Sequence, residues 1–522
     1  MSKEKKPWQR WQKLALGLSV FLFTVLVVLL GARKRWVQPL PGVRLEMTRP
    51  QVEESDLGPA SAYRILLRAC ARVPASRSVG SGGRKIWQLD WTDAGAKLQH
   101  HPYPATPPPA GSEPEVEHAA LSGVRDQALA PEAPWTLAQY QGIQRLLREY
   151  EPVFALLDQA LADPHPHVPS RGRIGSFPPY LSQVREIARW SYVSSQLKAD
   201  AGDYAGAFRD LDRVLGVANV ICYGGLLINH LVGIGCDAIA ANAVSEIATR
   251  RDVPAPILRQ AAREFLAHAD RAEPYVEAVR ADQLGVDRMV EVWHEAADPN
   301  MLAAFGLSTT KPHGKALYRA MFLAARLAGS TPPTSVRNLE NCYQHIVALA
   351  EKPFRASTAA EYDAFTAGLQ ANSTRKNLIL RTRDPLGCLL ASRVFPAFRQ
   401  AHQKFTHRDA SMRGTALLLA IKAYEKERGT PPERLEQLVP DYLPRVPQDP
   451  FDGKPFRYLP RNVPNLPPQA WAVYSVGEDF TDDGGEAQHV GLFRDPDLVW
   501  PSQPYPPPPL PTTSRVLQPA GE

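Results

Sequence analysis

Apolar side chains recur at three- and four-residue steps through most of the chain beyond residue 135. Leu137, Tyr140 and Ile143 begin such a series, as one buried face of an amphipathic helix requires. The helices predicted in this way span 60–73, 135–161, 178–200, 204–221, 224–248, 255–268, 273–297, 313–328, 335–351, 359–370 and 398–428. Extended segments are predicted only at 85–91 and after Pro455. The pattern therefore predicts a mainly α-helical fold with a multi-helix body.

An uninterrupted apolar run occupies residues 14–31, and it contains no charged side chain. In a helix, about 18 to 20 residues cross the hydrocarbon core of a bilayer. Trp8, Trp11 and Trp36 flank the run, where amphipathic rings favour the interface. A cleaved signal peptide is the alternative, but basic residues 33–35 follow where small residues would mark a cleavage site. We predict an uncleaved transmembrane helix at 14–31, with membrane lipid as its partner.

The positive charge of the chain is concentrated beside this run. The whole chain of 522 residues has a net charge of +6, and residues 1–50 carry +8 from ten basic and two acidic side chains. The remainder therefore carries −2, which excludes the basic face that a nucleic-acid-binding protein needs. Basic side chains beside an apolar span favour anionic lipid headgroups instead.

The sequence gives little indication of which end of the predicted span faces the cytoplasm. Five basic residues precede it and five follow it closely, so the excess of positive charge on the cytoplasmic side barely discriminates. A short N-terminal stub ahead of a single span allows the large C-terminal part to be translocated. We predict a single-pass protein of the cell membrane, with the bulk of the chain outside the cytoplasm, in the periplasm.

Proline marks the connecting segments. The chain has 50 prolines, nearly a tenth of its residues, against about 5% in an average protein. Proline-rich segments do not build a packed core. The predicted organisation is a basic stub at 1–13, a transmembrane helix at 14–31, a juxtamembrane and proline-rich region at 32–130, a helical domain at 131–395, an α+β domain at 396–500 and a disordered proline-rich tail at 501–522.

One turn in the helical domain is similar to the second half of a tetratricopeptide hairpin. Gly202, Asp203 and Tyr204 would form the turn, and the small Ala207 would let two helices approach closely. No clear repetition follows at the period of about 34 residues that an array requires. An ordinary helical hairpin is the alternative interpretation.

The segment 223–244 is apolar enough to suggest a second membrane span. Asn229, His230 and Asp237 interrupt it, and such side chains are costly within a bilayer. We therefore predict a buried core helix at this position.

A long helix is predicted to stop sharply near residue 429. Gly429 favours the left-handed conformation that ends a helix, and the following prolines cannot continue it. A short second helix over 432–439 would then direct Leu435, Leu438 and Val439 inward. The sequence therefore predicts a helical corner before the C-terminal strands.

The segment beyond this corner reads DPFDGKPFRYLP, then WAVYSVGEDFTDDGGE, then DPDLVW. Asp-Pro and Asp-Gly pairs form turns, and 456–458 and 472–474 alternate sufficiently to be short paired strands. A helix packed over two or three strands is a viable two-layer unit.

The C-terminal segment resembles the globular domain of the major pseudopilin of type II secretion systems. It also resembles the end of large uncharacterised membrane-anchored bacterial proteins that join a helical body to such a module. The resemblance covers about 85 residues and implies a small antiparallel sheet with an acidic, calcium-binding loop. The matching positions are Ala423, Tyr424, Gly429, Pro431 or Pro432, Leu435, Leu438, Asp449, Pro450, Phe451, Gly453, Pro455, Phe456, Tyr458, Ser475, Gly477, Asp479, Asp482, Asp483, Gly484 and Gly485.

Two features depart from the pseudopilin pattern. Pseudopilins begin with a processing site and carry a glutamate just inside the apolar helix, whereas here the apolar run lies about four hundred residues upstream and lacks a glutamate. The aspartate–proline motif also contains an extra residue, Asp452. The resemblance therefore implies the fold of the module and not assembly into a pseudopilus.

The acidic loop is a candidate calcium site. Asp479, Asp482, Asp483 and Glu486 cluster within eight residues, and Ca²⁺ prefers about six to eight hard oxygen ligands. Phe480 replaces the glycine usual in the resembled family, and EF-hand spacing is absent. A solvated acidic turn is the alternative to calcium binding.

Catalytic signals are weak. Glu291 and His294 lie at helical spacing beside Asp287, but a di-iron bundle needs two such motifs and two further helical carboxylates. The other match, Glu115 and His118, lies beside the proline-rich loop. The sequence contains no zinc-protease, nucleophile-elbow, P-loop or dinucleotide-binding motif, and its five cysteines include no CxxC pair. We therefore predict a non-enzymatic interaction or scaffolding component of the cell envelope, with protein partners. The alternative is an envelope enzyme that uses Asp287, Glu291 and His294.

Overall fold

The computed structural model describes residues 57–73, 85–92, 95–102, 137–163, 166, 168–169, 180–286, 289–290, 329–373, 384–464, 466–485 and 497–501. The predicted basic stub at 1–13 and transmembrane helix at 14–31 lie outside these residues. So do most of the region 32–130 and the tail beyond residue 501.

Within the described residues the fold is mainly helical, as the hydrophobic pattern predicts, with two small antiparallel sheets of two and three strands. The helices are α1 (Ala62–Ala71), α2 (Leu137–Leu161), α3 (Leu181–Asp200), α4 (Tyr204–Cys222), α5 (Leu227–Arg250), α6 (Ala255–Arg271), α7 (Tyr275–Gln283), α8 (Pro332–Ala350), α9 (Ala356–Asn372), α10 (Pro385–Val394) and α11 (Pro396–Arg428). The strands are β1 (Lys85–Thr92), β2 (Gly95–Pro102), β3 (Arg457–Leu459), β4 (Ala472–Ser475) and β5 (Leu498–Pro501).

The end of α11 confirms one local prediction and corrects another. Gly429 has a φ of +81°, and its N–H donates to the Glu425 carbonyl, so the glycine ends the helix in the left-handed conformation. The predicted second helix is a single 3₁₀ turn, Leu435–Leu438, with both leucines buried. The prediction that Val439 faces inward is wrong, because Val439 is extended and 37% exposed. The turn ends one residue too early for it to share the buried face.

Two clusters of buried side chains form the interior. The first joins α1 to α6 with the second half of α11 and the C-terminal sheet, and the second joins α7 to α10 with the first half of α11. On α11, Phe398 and Ala410 contribute to the second core, whereas Met412 and Leu417 contribute to the first. Neither core is confined to one side of the boundary predicted at residue 395.

The C-terminal sheet packs directly on α11. Its order is β3-β4-β5 with antiparallel neighbours, and Tyr474 of β4 pairs with both Arg457 and Val499. A side-chain carbon at Gly414 would lie 2.4 Å from the Trp500 indole, so only glycine lets β5 approach the helix this closely. The sheet and the rest of residues 429–501 are called the C-terminal module below.

Among the described residues, α5 is the helix that is long and apolar enough to cross a membrane. It packs against α3, α4 and α11, and 56% of its most apolar window is buried inside the protein. The side-chain amide of Asn229 donates to the Tyr180 hydroxyl at 2.9 Å, so this polar group is satisfied internally. These contacts are those of a helix inside a protein core.

Candidate functional site

A cleft of about 480 Å³ lies between the helical body and the C-terminal module. Its walls come from α4, α5, the end of α6, the residues before α7, the residues between α8 and α9, the middle of α11, and the turn 448–453. It therefore brings together residues more than 200 positions apart in the chain. A cavity of this size is in the range typical of small-molecule sites, about 300–1,000 Å³.

A buried ionic cluster closes one side of the cleft. The Arg408 Nε donates to Asp237 Oδ2 at 2.6 Å, and the His268 Nε2 lies 2.9 Å from Asp237 Oδ1. The same His268 nitrogen lies 2.9 Å from the Arg408 Nη2, and its Nδ1 lies 3.1 Å from the Asn219 amide. The three charged or titratable side chains are each less than a tenth exposed. The cluster ties α5, α6 and α11 together.

The pKa of Asp237 follows from this geometry. Burial by itself would raise the pKa of the carboxyl, but His268 and Arg408 outweigh burial and hold it below its ordinary value. The same pairing holds the pKa of Arg408 above its ordinary value despite burial. Asp237 and Arg408 therefore form a charged pair in the folded protein.

A second polar wall is formed by His230 and Glu273. The His230 Nε2 lies 3.4 Å from Glu273 Oε2, and it is a buried atom without a normal hydrogen bond among the described residues. The Gly224 N–H donates to the same Glu273 oxygen at 3.0 Å. His230 packs on Phe405, with ring centroids 5.3 Å apart.

Aromatic rings continue this wall toward the α8–α9 connection. His402 stacks on Tyr275 with centroids 4.4 Å apart, and Phe354 lies 5.2 Å from the same imidazole. The His402 Nδ1 lies 3.2 Å from the Tyr362 hydroxyl. Burial lowers the pKa of His402 to about 4, so this imidazole is neutral at neutral pH. The wall is therefore largely apolar, with hydrogen-bonding edges.

The cysteine that lines the cleft is unreactive. Cys222 lines it, and burial raises the pKa of this thiol well above its ordinary value. A protonated buried thiol is a poor nucleophile and a poor metal ligand. The cleft therefore fits binding better than covalent chemistry at Cys222.

The sequence pointed only indirectly to these residues. Asp237 and His230 interrupt an apolar helix, and this interruption is the signal that the sequence offers. His268, Arg408 and Glu273 lie on other segments, where isolated polar residues are common. Their convergence follows from the packing of α5, α6 and α11.

The candidate calcium residues do not converge in the described part of the acidic loop. Asp479 accepts the Thr481 N–H at 2.9 Å, and Asp482 accepts from the Arg457 Nε at 3.2 Å and the Tyr474 hydroxyl at 3.1 Å. Both aspartates and Asp483 are exposed. The described residues contain no group of three metal-ligating side chains, and Glu486 lies outside them. Calcium binding at this loop stays a prediction.

Asp497 is an additional acidic residue beside this loop. Its Oδ2 accepts the Gly485 N–H at 2.8 Å, whereas its buried Oδ1 has no partner among the described residues. Burial, together with the nearby Asp482 and Asp483 charges, raises the pKa of Asp497 to about 6. The sequence signal for Asp497 is its position after the acidic stretch, in the DPDLVW segment.

Asp449 has a structural position at the centre of the C-terminal module. Its carboxylate accepts the N–H groups of Phe451 and Val476 and the Ser475 hydroxyl, each at 3.0 Å. The Arg457 guanidinium lies 3.3 Å away. The predicted turn former therefore also fixes the start of the loop after β4.

The residues of the enzyme hypothesis, Asp287, Glu291 and His294, lie outside the described residues. The predicted hairpin turn is present between α3 and α4, where Gly202 has a φ of +80° and Asp203 caps α4 by accepting the Gly206 N–H.

Comparisons with protein-family models, with curated proteins and with solved structures found no match.

Proposed function

We propose that this chain is a single-pass, membrane-anchored component of the bacterial cell envelope that acts through protein interactions as a scaffold. The observation that carries the proposal is the sharing of α11 between both buried cores. Because one helix belongs to the body and also supports the C-terminal module, the two are held in a fixed relation. A fixed relation between two surfaces is what a scaffold needs.

The resemblance of the module to pseudopilins supports a role related to secretion. A long helix that ends at a left-handed glycine, followed by an Asp-Pro turn and a three-stranded antiparallel sheet, agrees with that resemblance. The hairpin of α3 and α4 supports a tetratricopeptide-like turn in the same way. Both similarities suggest surfaces that bind other proteins.

The proposed anchor is tested by its removal. Deletion of 14–31 should move the chain from the membrane fraction to the soluble fraction. A fusion of alkaline phosphatase to the C-terminus should be active, and a fusion of a cytoplasm-only fluorescent protein should be dark. A full chain that remains soluble, or the opposite reporter pattern, would contradict the anchor or its orientation.

The proposed scaffold is tested by crosslinking in intact cells. We expect discrete products larger than the 57.6 kDa chain. Asp449→Ala, which removes the buried carboxylate at the centre of the module, should abolish those that depend on the module. Asp441→Ala is the matched control, because Asp441 is an exposed aspartate of the same module. Recovery of the uncrosslinked chain alone would contradict a scaffolding role.

A further inference from the structure

Two arginines meet at one turn on the floor of the cleft. The Arg413 Nη1 donates to the Gln448 carbonyl at 2.9 Å, and the Arg355 guanidinium lies over Gly453. Gln448 pairs with Pro455 across the same turn, and the Gly453 N–H donates to the Asp449 carbonyl at 2.8 Å. The two guanidinium groups therefore border the same few residues.

Gly453 makes room for one of these guanidinium groups. It has a φ of +75°, and a side-chain carbon at this position would lie 2.2 Å from the Arg355 Nη2. Any larger residue would displace Arg355 from the cleft. The glycine of the Asp-Pro turn thus shapes the cleft as well as the turn.

The carboxylates that line the cleft already have partners, whereas these two arginines form no ion pair with a described carboxylate. The Arg413 Nε is also a buried donor without a hydrogen bond among the described residues. The lining carboxylates and their donors are Asp237 with Arg408 and His268, Asp270 with Arg445, Glu273 with the Gly224 N–H, Asp409 with Arg408, and Asp449 with Arg457 and backbone N–H groups. The floor therefore presents two guanidinium groups with N–H donors left unused, in a cleft whose carboxylates already have donors.

The wall next to this floor suits an uncharged molecular body. Phe354 immediately precedes Arg355 in the chain, and Phe405 is a partly exposed ring on α11. The neutral His402 packs against Phe354 in the aromatic wall. The cleft lining thus combines guanidinium groups with aromatic side chains.

We propose that the cleft binds a small organic anion. Its carboxylate or phosphate group would lie between Arg355 and Arg413, and its apolar body would lie against Phe354 and Phe405. Guanidinium groups suit this role because their fixed forks of N–H donors match the oxygens of both anions. The proposal goes beyond the scaffolding role and does not depend on it.

The test is isothermal titration of the detergent-solubilised full chain with phenyl phosphate. We expect a Kd below about 1 mM, weaker binding of inorganic phosphate, which lacks the ring, and no binding of benzyl alcohol, which lacks the charge. Equal affinity for phenyl phosphate and inorganic phosphate would overturn the role of the wall. Absence of phenyl phosphate binding up to about 10 mM would overturn the site.

Variants locate the binding in the cleft. Arg355→Gln and Arg413→Gln should each weaken phenyl phosphate binding about tenfold, since each removes a charge-assisted hydrogen bond. Arg461→Gln, an exposed arginine of the module, is the matched control and should bind like the unaltered chain. Unchanged affinity in both cleft variants would overturn the proposal. Arg355 is exposed, so its substitution keeps the test valid if Arg413→Gln fails to fold.

The source of the anion is identified by competition. Phosphatidylglycerol vesicles that displace phenyl phosphate would support a lipid headgroup as the ligand, whereas vesicles without effect would support a free small anion. Displacement that persists in Arg355→Gln would contradict competition at the cleft. Gly453→Ala should weaken phenyl phosphate binding through the displacement of Arg355.

Discussion

Asp237 and Asp449 are both buried carboxylates beside an arginine, yet they are held in different ways. Asp449 is satisfied within its own module, by Phe451, Ser475 and Val476 and by the guanidinium of Arg457. Asp237 is satisfied by side chains 31 and 171 positions away. The first is a turn motif with a local sequence signature, and the second is a tertiary junction without one.

Burial raises the pKa of both carboxyls, and the two shifts have opposite directions because the partners that oppose burial differ. At Asp449, burial outweighs the hydrogen bonds and raises the pKa of the carboxyl. At Asp237, the interactions with His268 and Arg408 outweigh burial and lower the pKa of the carboxyl. Asp237 therefore depends on charge pairing, whereas Asp449 accepts its three shorter hydrogen bonds from neutral donors and lies 3.3 Å from Arg457.

The largest effect is expected at the tertiary junction. Arg408→Met should destabilise the chain by about 4 kcal/mol, because it leaves the buried Asp237 carboxylate without its guanidinium partner. Urea denaturation of the detergent-solubilised chain measures the change. Arg428→Met, the same substitution at the exposed end of α11, should cost less than about 1 kcal/mol.

A second substitution distinguishes the effect of losing the Asp237–Arg408 charge pair from the effect of losing side-chain packing. In the background of Arg408→Met, Asp237→Asn should recover part of the lost free energy of unfolding, since the unpaired charge is gone. Strictly additive losses in the double variant would contradict the charge-pair account of this junction.

Substitutions in the C-terminal module should lower the free energy of unfolding by less. Asp449→Ala is expected to cost about 3 kcal/mol, because buried N–H donors lose their acceptor. Ser475→Ala removes one neutral partner of the same carboxylate and should cost about 1 kcal/mol. A loss at Asp449 greater than at Arg408 would reverse the comparison and make the local motif the stronger element.

The pH dependence of stability should distinguish the two carboxylates. Asp237 has a lowered folded pKa, so its contribution is present above the ordinary Asp value of about 3.9 and is lost as pH falls through the folded pKa. Asp449 has a raised folded pKa, so its contribution strengthens as pH falls toward about 3.9.

Asp237→Asn should therefore flatten the fall in melting temperature between about pH 5 and pH 3, whereas Asp449→Asn should steepen it. Each unit of pKa difference corresponds to about 1.4 kcal/mol. Melting curves of both variants and the unaltered chain on one pH series measure the slopes. Parallel curves for the two variants would show that the carboxylates do not differ as described.

The same contrast explains what was predictable from the sequence. Helical periods, the left-handed Gly429 and the turn 449–453 depend on neighbours within a few positions, so their patterns are visible in the chain. The floor of Arg355 and Arg413 depends on three segments that meet only after folding. The prediction for Val439 is wrong because an inward-facing apolar pattern does not specify where a short 3₁₀ turn ends.

The smallest expected effect concerns calcium at the acidic loop, which extends the comparison to a third buried carboxylate. The Asp497 Oδ1 has no partner among the described residues, and burial, together with the exposed Asp482 and Asp483, raises the pKa of this carboxyl. A bound cation would relieve that repulsion, but it must compete with Arg457 for Asp482. At three times its Kd, calcium would stabilise the chain by about 0.8 kcal/mol. Melting with calcium and with chelator should therefore differ by about 1–2 °C, and Asp497→Asn should remove the difference. An identical midpoint in both conditions would leave the loop as a solvated acidic turn, with Asp497 a structural carboxyl like Asp449.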